Sequence, residues 1–291
     1  MYIADKWTEY QLIDTQNGKR LESWAGHILE RPDPQVIWKD TGTSRLWGHA
    51  DAIYKRSKSG GGSWTQFKKL PEEWELNYES LGLRFVVKPM GFKHTGVFPE
   101  QAANWEWFSK LIREAGRPIK VLNLFAYTGG ATIAAAKAGA SVCHVDASQG
   151  MNKQAQRNAK LSGLADAPIR YIADDCEKFV QREIRRGNRY DAIIMDPPSY
   201  GRGPGGEVWK LEDSIDELIT LASKLLSDRP LFFLVNSYTT GLSPLTMSYL
   251  LELKVRSRFG GELESGELGL RVTATGAFLP CGASSRWYLK D

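Results

Sequence analysis

The chain has 291 residues, of which 42% are hydrophobic, and its formal net charge at pH 7 is +4. This length is enough to bury a sizeable core and predicts two domains, while the small positive charge is compatible with RNA binding without requiring it. No apolar run approaches the roughly 18 residues that a membrane span needs, and the first residues are polar, so we predict a cytoplasmic protein without a membrane segment.

The first part of the chain has the pattern of a small β-rich domain. Short strand-like segments at residues 10–14 and 27–30 are separated by Asn17 and Gly18, a hairpin-type turn signal. The next strand is predicted at residues 83–87. We therefore predict a β-rich N-terminal domain at residues 1–81 and a second domain at residues 82–291.

Residues 95–101 lead into a predicted helix. Pro99 suits the first turn of a helix, and the acidic Glu100 is favourable near its N-terminus. Apolar residues then recur at helical spacing, which predicts that this helix packs on a sheet.

A strand, turn, helix and strand follow. Residues 120–125 predict a buried strand that enters a turn at Gly129, and the helix after this turn is closed by Gly139. The second strand, residues 141–146, ends in Asp146. Such a unit binds a nucleoside, because the backbone can approach at the glycines and the acid can accept from both ribose hydroxyls. The spacing Gly-x-Gly-x-x-Gly is absent, which argues against a nicotinamide or flavin dinucleotide.

Two further strands end in polar turns. Residues 169–173 lead to Asp174 and Asp175, where Asp also suits a helix N-cap. Residues 192–195 lead to the sequence Asp-Pro-Pro-Ser-Tyr at 196–200, in which the prolines leave rigid carbonyl acceptors and the aromatic ring can stack on a base. An ordinary strand-ending turn is the alternative interpretation.

Four segments in this order together resemble the class I S-adenosylmethionine-dependent methyltransferases: residues 123–130, 145–148, 173–176 and 196–200. Within that superfamily the chain is most similar to the bacterial branch of large-subunit ribosomal RNA methyltransferases, which also has a segment like residues 95–101. The resemblance covers about the last two-thirds of the chain.

The resemblance implies S-adenosylmethionine as cofactor, with S-adenosylhomocysteine as product. Asp174 competes with Asp175 for the adenine amino group, and Cys176 is implied to act through its backbone N–H. The residues implied to bind the cofactor are Thr95, Gly96, Gln101, Phe125, Tyr127, Thr128, Gly129, Asp146, Ala147, Ser148, Asp175, Cys176 and Asp196.

The residues near the reacting end favour transfer of methyl to nitrogen. Relatives that methylate carbon 5 of cytosine use a nucleophilic Cys at such positions, because attack at a ring carbon needs a covalent adduct; this chain has Ser199 and Ser237. We predict an amine of a ribosomal RNA base as acceptor, with a protein side chain, a small-molecule amine or cytosine C5 of ribosomal RNA as alternatives. The predicted catalytic residues are Asp196, Pro197, Pro198, Ser199 and Tyr200.

Two features complete the prediction. The glycine-rich residues 201–206 are expected to order over the substrate, and the three cysteines lack metal-ligand spacing, so no metal site is predicted. The fold is expected to be α/β, a Rossmann-like seven-stranded mixed sheet with helices on both faces and an antiparallel final strand pair near residues 273–288, plus the β-rich N-terminal part.

Overall fold

The structure is a computed structural model that describes residues 1–57, 61–91, 93–202, 208–239 and 241–290. The predicted glycine-rich loop at 201–206 therefore lies mostly outside the described residues. The chain divides into two compact units. The large unit comprises Met1–Tyr2, Asn104–Leu268 and Gly282–Asp291, and the small unit comprises Ile3–Ala103 and Gly269–Cys281.

The described strands, in chain order, are β1 (Tyr2–Ile3), β2 (Tyr10–Gln16), β3 (Lys19–Trp24), β4 (His27–Pro32), β5 (Ala52–Arg56), β6 (Gly62–Gln66), β7 (Trp74–Tyr78), β8 (Leu83–Val87), β9 (Lys120–Leu124), β10 (Ser141–Asp146), β11 (Ile169–Ala173), β12 (Ala192–Met195), β13 (Tyr200–Arg202), β14 (Val208–Lys210), β15 (Phe232–Ser237), β16 (Glu262–Arg271) and β17 (Phe278–Tyr288). The α-helices are α1 (Ala102–Glu114), α2 (Gly130–Lys137), α3 (Gln149–Leu161), α4 (Cys176–Arg185), α5 (Leu211–Ser223), α6 (Pro244–Leu251) and α7 (Ser257–Phe259). Short 3-10 turns lie at Glu79–Leu81 and Pro99–Gln101, and a π-helical turn at Glu252–Arg256 joins α6 to α7.

The main sheet has eight described strands in the order β1-β16-β17-β15-β12-β9-β10-β11. The five strands from β15 to β11 run parallel, and β17 pairs antiparallel with β15. The predicted mixed methyltransferase-type sheet with an antiparallel C-terminal pair is confirmed. The structure adds the short edge strand β1, and β16 begins earlier than predicted because residues 272–277 form the turn between the last two strands, where Val272 N–H donates to the Ala277 carbonyl at 2.8 Å.

Helices cover both faces of this sheet. The alternation of side chains along the strands puts Leu122 and Ile193 in one hydrophobic core with residues of α4, α5 and α6. On the other face, the ring of Phe108 in α1 stacks on Phe232 of β15 at 5.8 Å. All four residues of β12 are buried, as expected for a central parallel strand covered on both sides.

The small unit is built from a five-stranded sheet, β2-β3-β4-β5-β6, and a separate antiparallel pair, β7 and β8. The predicted hairpin turn follows β2, with Asn17 and Gly18 both at positive φ, 51° and 73°. It joins β2 to β3, a strand that the sequence analysis did not predict, and the predicted segment at 27–30 lies in the next strand, β4. The β-rich character predicted for the N-terminal part is thus confirmed.

A buried ionic cluster lies within the small unit. Arg31 donates through Nε and Nη2 to the Glu22 carboxylate at 2.6 and 2.7 Å, and the Tyr10 hydroxyl donates to it at 2.8 Å. Burial alone would raise the pKa of Glu22, but the charges of Arg20 and Arg31 and the hydrogen bonds from Arg31 and Tyr10 lower it to about 2. Glu22 therefore stays ionised while buried, and its pairing contributes stability at neutral pH.

Candidate functional site

The turn that follows β9 has an unusual backbone. Phe125 and Tyr127 have left-handed φ values of 55° and 51°, and Gly129 has a φ of 84°. Positive φ is strained for residues with side chains, so surrounding contacts must hold this turn. They include hydrogen bonds from Ala126 N–H to the Val145 carbonyl at 3.0 Å and from Phe125 N–H to the Cys176 sulfur at 3.3 Å.

Gly129 and Gly130 allow close packing at the start of α2. A Cβ at Gly129 would lie 2.8 Å from the Cβ of Ala155 in α3, and one at Gly130 would lie 2.6 Å from the Trp105 ring. Gly129 is therefore required both for its backbone conformation and for the approach of two helices. The sequence indicated the turn, and the structure supplies the reason for its first glycine.

Asp146, at the end of β10, binds this turn directly. One carboxylate oxygen accepts from Tyr127 N–H at 2.8 Å and the other from Ser148 N–H at 2.8 Å. Burial raises the pKa of Asp146, and the two backbone hydrogen bonds oppose that shift. Each oxygen retains a further lone pair that could accept from a ligand hydroxyl.

The neighbouring residues predicted for the ribose side are exposed. Ala147 and Ser148 both lie on the surface after β10. The Ser148 hydroxyl accepts from Met151 N–H at 3.3 Å, so this side chain caps α3. Thr128 is buried, and its carbonyl accepts from Asn158 Nδ2 at 2.9 Å. These contacts fix the backbone on both sides of the Asp146 carboxylate.

A buried polar network that the sequence analysis missed connects β9, α2 and β10, the elements that flank this turn. Asn123 Nδ2 donates to the Thr132 hydroxyl at 2.9 Å, and that hydroxyl lies 2.8 Å from His144 Nδ1. Burial lowers the pKa of His144 to about 3, so its ring is neutral at neutral pH. The signal in the sequence was a polar residue at an inward position in each of two neighbouring strands, since Asn123 and His144 face each other in register.

The two acids after β11 have different contacts. Asp175 is exposed and caps α4 by accepting from Lys178 N–H at 2.9 Å. Asp174 forms an ion pair with Arg182 and accepts from Asp175 N–H at 2.9 Å. Cys176 is buried, and burial raises the pKa of its thiol. Which acid meets the adenine amino group stays a prediction.

The Asp-Pro-Pro-Ser-Tyr turn leaves β12, the strand adjacent to β9. Met195 pairs with Leu124, and Asp196 N–H donates to the Leu124 carbonyl at 3.4 Å. Because parallel strands end at the same edge of a sheet, this turn and the Gly129 turn emerge side by side. Pro197 is buried and Pro198 is exposed.

A hairpin continues directly from this turn. The strands β13 and β14 pair antiparallel, with Tyr200 opposite Lys210, and Tyr200 is 51% exposed. Leu211 N–H donates to the Ser199 carbonyl at 3.1 Å. The Trp209 indole N–H donates to the Pro198 carbonyl at 2.7 Å. Trp209 is a further residue that the sequence analysis missed, because its partner in the turn lies 11 positions away in the chain.

The remaining predicted cofactor residues lie in the small unit. Thr95 and Gln101 are buried, and Gly96 has a φ of 102°, with a hypothetical Cβ 3.2 Å from the Val86 carbonyl. Lys88 N–H donates to the Thr95 carbonyl at 3.0 Å. Their contacts with a cofactor stay predictions.

The cysteines have the properties of packed core thiols. Cys143, Cys176 and Cys281 are all free and buried. Burial raises the pKa of Cys143 to about 11 and raises that of Cys281 well above its ordinary value. Among the described residues, no three His, Cys, Asp or Glu side chains form a metal-ligand group. Of the helices in the same described ranges, none has the length and apolarity to cross a bilayer.

Comparison with known proteins identifies the family. Residues 52–232 match the family model for S-adenosylmethionine-dependent methyltransferases. A ribosomal RNA large subunit methyltransferase K/L from Shewanella frigidimarina is 30% identical over 182 residues, which are 62% of this chain and 25% of that protein. The match therefore spans about a quarter of the length of that curated relative.

Solved structures agree with the family model. The SAM-dependent methyltransferase from Agrobacterium tumefaciens is 40% identical, with a TM-score of 0.92 over 99% of this chain and 93% of that one. A putative SAM-dependent methyltransferase from Streptococcus mutans shares the fold, with a TM-score of 0.72 at 17% identity over 98% of this chain and 76% of that one. The resemblance inferred from the sequence is confirmed, and the chain belongs to the S-adenosylmethionine-dependent methyltransferases.

Proposed function

We propose that this chain transfers a methyl group from S-adenosylmethionine to an amine nitrogen of a base in ribosomal RNA. The observation that carries the proposal is the adjacency of two turns at one sheet edge. The glycine turn after β9 would hold the methyl donor, and the turn after β12 would hold the acceptor, with the two strands in register at Leu124 and Met195.

The chemistry of the first turn fits a nucleoside cofactor. The turn contains two left-handed residues, Phe125 and Tyr127. The Asp146 carboxylate binds this turn and retains lone pairs beyond its two backbone hydrogen bonds. When bound, S-adenosylmethionine supplies a methyl group already activated on a sulfonium. We propose that the cofactor is bound by residues of the turn, of the ribose side and of the adenine side. These are Phe125, Tyr127, Thr128 and Gly129 in the turn, Asp146, Ala147 and Ser148 on the ribose side, and Asp175 and Cys176 on the adenine side. The proposal also includes Asp196, and Thr95, Gly96 and Gln101 of the small unit.

The acceptor side orients the amine. The Asp196 carboxylate and the Pro197 carbonyl accept hydrogen bonds from the amine, which turns its lone pair towards the methyl group. Positive charge grows on the nitrogen during transfer, so the carboxylate also stabilises the transition state and takes up the departing proton. Alignment of this kind can supply about 7–11 kcal/mol of barrier reduction. Tyr200, which is half-exposed, would stack on the base once it has left its helix.

The proposal of a nitrogen acceptor, instead of a carbon acceptor, is based on the properties of the cysteine thiols. Attack through cytosine C5 needs a nucleophilic thiolate, and burial raises the pKa of each of the three cysteines. Ser199 occupies the turn itself, and Ser237 ends β15.

Ribosomal RNA as substrate is supported by the names of the curated relatives, which are large-subunit ribosomal RNA methyltransferases. A protein side chain or a small-molecule amine would fit the same turn and forms the alternative. The proposal also includes a cytoplasmic location and two domains, residues 1–81 and 82–291.

The test is methyl transfer from S-adenosylmethionine labelled in its methyl group. The acceptor is ribosomal RNA purified from cells that lack this gene, and the product is digested to nucleosides for mass spectrometry. We expect label in one base, on nitrogen, and no label with the Asp196→Ala variant. Label at C5 of cytosine would contradict the nitrogen acceptor, and label that enters only protein or metabolite fractions would contradict the RNA substrate.

A further inference from the structure

Trp209 touches both of the turns that form the proposed site. Its indole N–H donates to the Pro198 carbonyl at 2.7 Å, and its ring lies 5.7 Å from that of Phe125 at an interplanar angle of 44°. Phe125 is the first left-handed residue of the turn after β9. Trp209 therefore bridges the donor-side and acceptor-side turns through one side chain.

We propose that Trp209 is a positioning residue that fixes the acceptor turn relative to the cofactor turn. This inference rests on the proposed function, since it assigns the two turns to the two reactants. Trp209 acts through Pro198 and Phe125 and need not touch either reactant. Methyl transfer is sensitive to such a link, because in-line displacement depends on the separation and angle of the reacting atoms.

The composition of the acceptor turn explains why it needs an external donor. Pro197 and Pro198 have no backbone N–H, so the backbone at these two positions can form hydrogen bonds only through its carbonyl groups. The described donors to those carbonyls come from the far strand of the hairpin and the start of α5: Trp209 Nε1 to Pro198, and Leu211 N–H to Ser199 at 3.1 Å. The backbone pairing of Tyr200 with Lys210 brings that strand alongside.

Tryptophan combines the two properties that this position requires. Its indole has a hydrogen-bond donor on one edge and a large apolar surface for ring packing. Trp209 is half-buried against the core that also contains residues of β9 and β12. Phenylalanine would keep the ring beside Phe125 and lose the donor to Pro198, while alanine would lose both contacts. The two substitutions therefore separate the two connections.

A matched control comes from Trp287 in β17. Its indole N–H also donates to a backbone carbonyl, that of Gly260, at 2.7 Å, and its ring packs in the same core. It is opposite Phe233, near the beginning of β15, whereas the two turns follow the ends of their strands. Trp287→Phe thus removes the same kind of bond without touching either turn.

The experiment compares Trp209→Phe, Trp209→Ala and Trp287→Phe with the unaltered chain. Five quantities are measured: the melting temperature, the Kd for S-adenosylhomocysteine by calorimetry, kcat and KM for methyl transfer to ribosomal RNA, and hydrogen exchange of peptides that contain Ser199 and Tyr200. We expect Trp209→Phe to lower kcat about fivefold, the equivalent of one hydrogen bond, with an unchanged Kd and faster exchange at residues 199 and 200. Trp209→Ala should in addition weaken S-adenosylhomocysteine binding, and Trp287→Phe should lower the melting temperature with kcat and exchange preserved.

The outcomes separate this inference from the proposed function. Unchanged exchange at residues 199 and 200 in both Trp209 variants overturns the positioning role, as does a loss of kcat that simply follows the melting temperature across all three variants. If the unaltered chain does not methylate ribosomal RNA, the proposed substrate fails. Faster exchange in Trp209→Phe together with weaker S-adenosylhomocysteine binding in Trp209→Ala would then still support the link between the turns.

Discussion

Replacement of Gly129 by alanine tests whether the turn after β9 is as constrained as its geometry indicates. At a φ of 84°, alanine is strained by about 1–2 kcal/mol. The new Cβ would also lie 2.8 Å from the Ala155 Cβ and 3.3 Å from its Cα. Ala155 has no side-chain torsion with which to move aside, so α3 or the turn must shift, which costs about 1–3 kcal/mol more.

Two glycines of the same unit serve as controls. Gly163 has a φ of 74° but open space around its hypothetical Cβ, so Gly163→Ala isolates the backbone strain of about 1–2 kcal/mol. Gly150 lies inside α3, where the nearest atom would be the Ser148 hydroxyl at 3.6 Å. We expect Gly150→Ala to be neutral or to stabilise by about 0.5–1 kcal/mol.

The assay is chemical denaturation followed by circular dichroism, with calorimetry of S-adenosylhomocysteine on the same preparations. Gly129→Ala should be about 2–5 kcal/mol less stable than the unaltered chain. We also expect it to bind S-adenosylhomocysteine about tenfold more weakly or worse, a loss of about 1.4 kcal/mol. If Gly129→Ala were no less stable than Gly163→Ala and kept full affinity, the packing argument for this turn would be refuted.

Three further predictions concern other parts of the molecule. Asp196→Ala should abolish methyl transfer, because its carboxylate orients the acceptor amine. The calorimetric Kd for S-adenosylhomocysteine should stay within about tenfold, because the other residues proposed to bind the cofactor are unaltered; retained turnover would contradict the mechanism. Since Glu22 has a pKa of about 2 in the folded protein against 4.5 ordinarily, its stabilising contribution of about 3 kcal/mol is present above pH 4.5 and is lost as the pH falls towards 2. The free energy of unfolding of Glu22→Gln, measured against pH, should lack that part of the pH dependence. If the variant showed the same pH profile as the unaltered chain, the stabilising contribution of the Glu22 carboxylate would be contradicted. Cys281→Ser should keep methyl transfer in the labelled assay, because burial raises the pKa of this thiol and so disfavours the nucleophilic thiolate. Complete loss of transfer in a folded variant would support methylation of carbon instead of nitrogen.

The sequence was sufficient for the features that local pattern determines. The strand β12 is a continuous apolar run and β9 is largely apolar, and the turns that follow them carry Asp196 and Gly129, so the α/β sheet and the motif order could be predicted. The Asn17–Gly18 hairpin was equally local, since its turn type follows from the two residues themselves.

Contacts between distant segments could not be predicted in this way. Trp209 binds Pro198 only because a hairpin returns the chain to the turn, and a tryptophan in a short strand has no distinctive spacing. The Asn123, Thr132 and His144 network depends on the register of two strands and on the face that α2 covers. The eighth strand, β1, is only a two-residue segment, Tyr2–Ile3, which is too short to show an alternating pattern.

The assignment of the cofactor to the turn after β9 is tested most directly by calorimetry of S-adenosylhomocysteine with the unaltered chain and with Asp146→Asn. Because the carboxylate holds Tyr127 N–H and Ser148 N–H and is proposed to accept from the ribose, an amide that offers one acceptor oxygen should weaken binding by about tenfold or more. We predict saturable one-to-one binding to the unaltered chain and this loss in the variant. Absence of binding heat in the unaltered chain, or equal affinity in both proteins, would contradict the assignment of the cofactor to this turn.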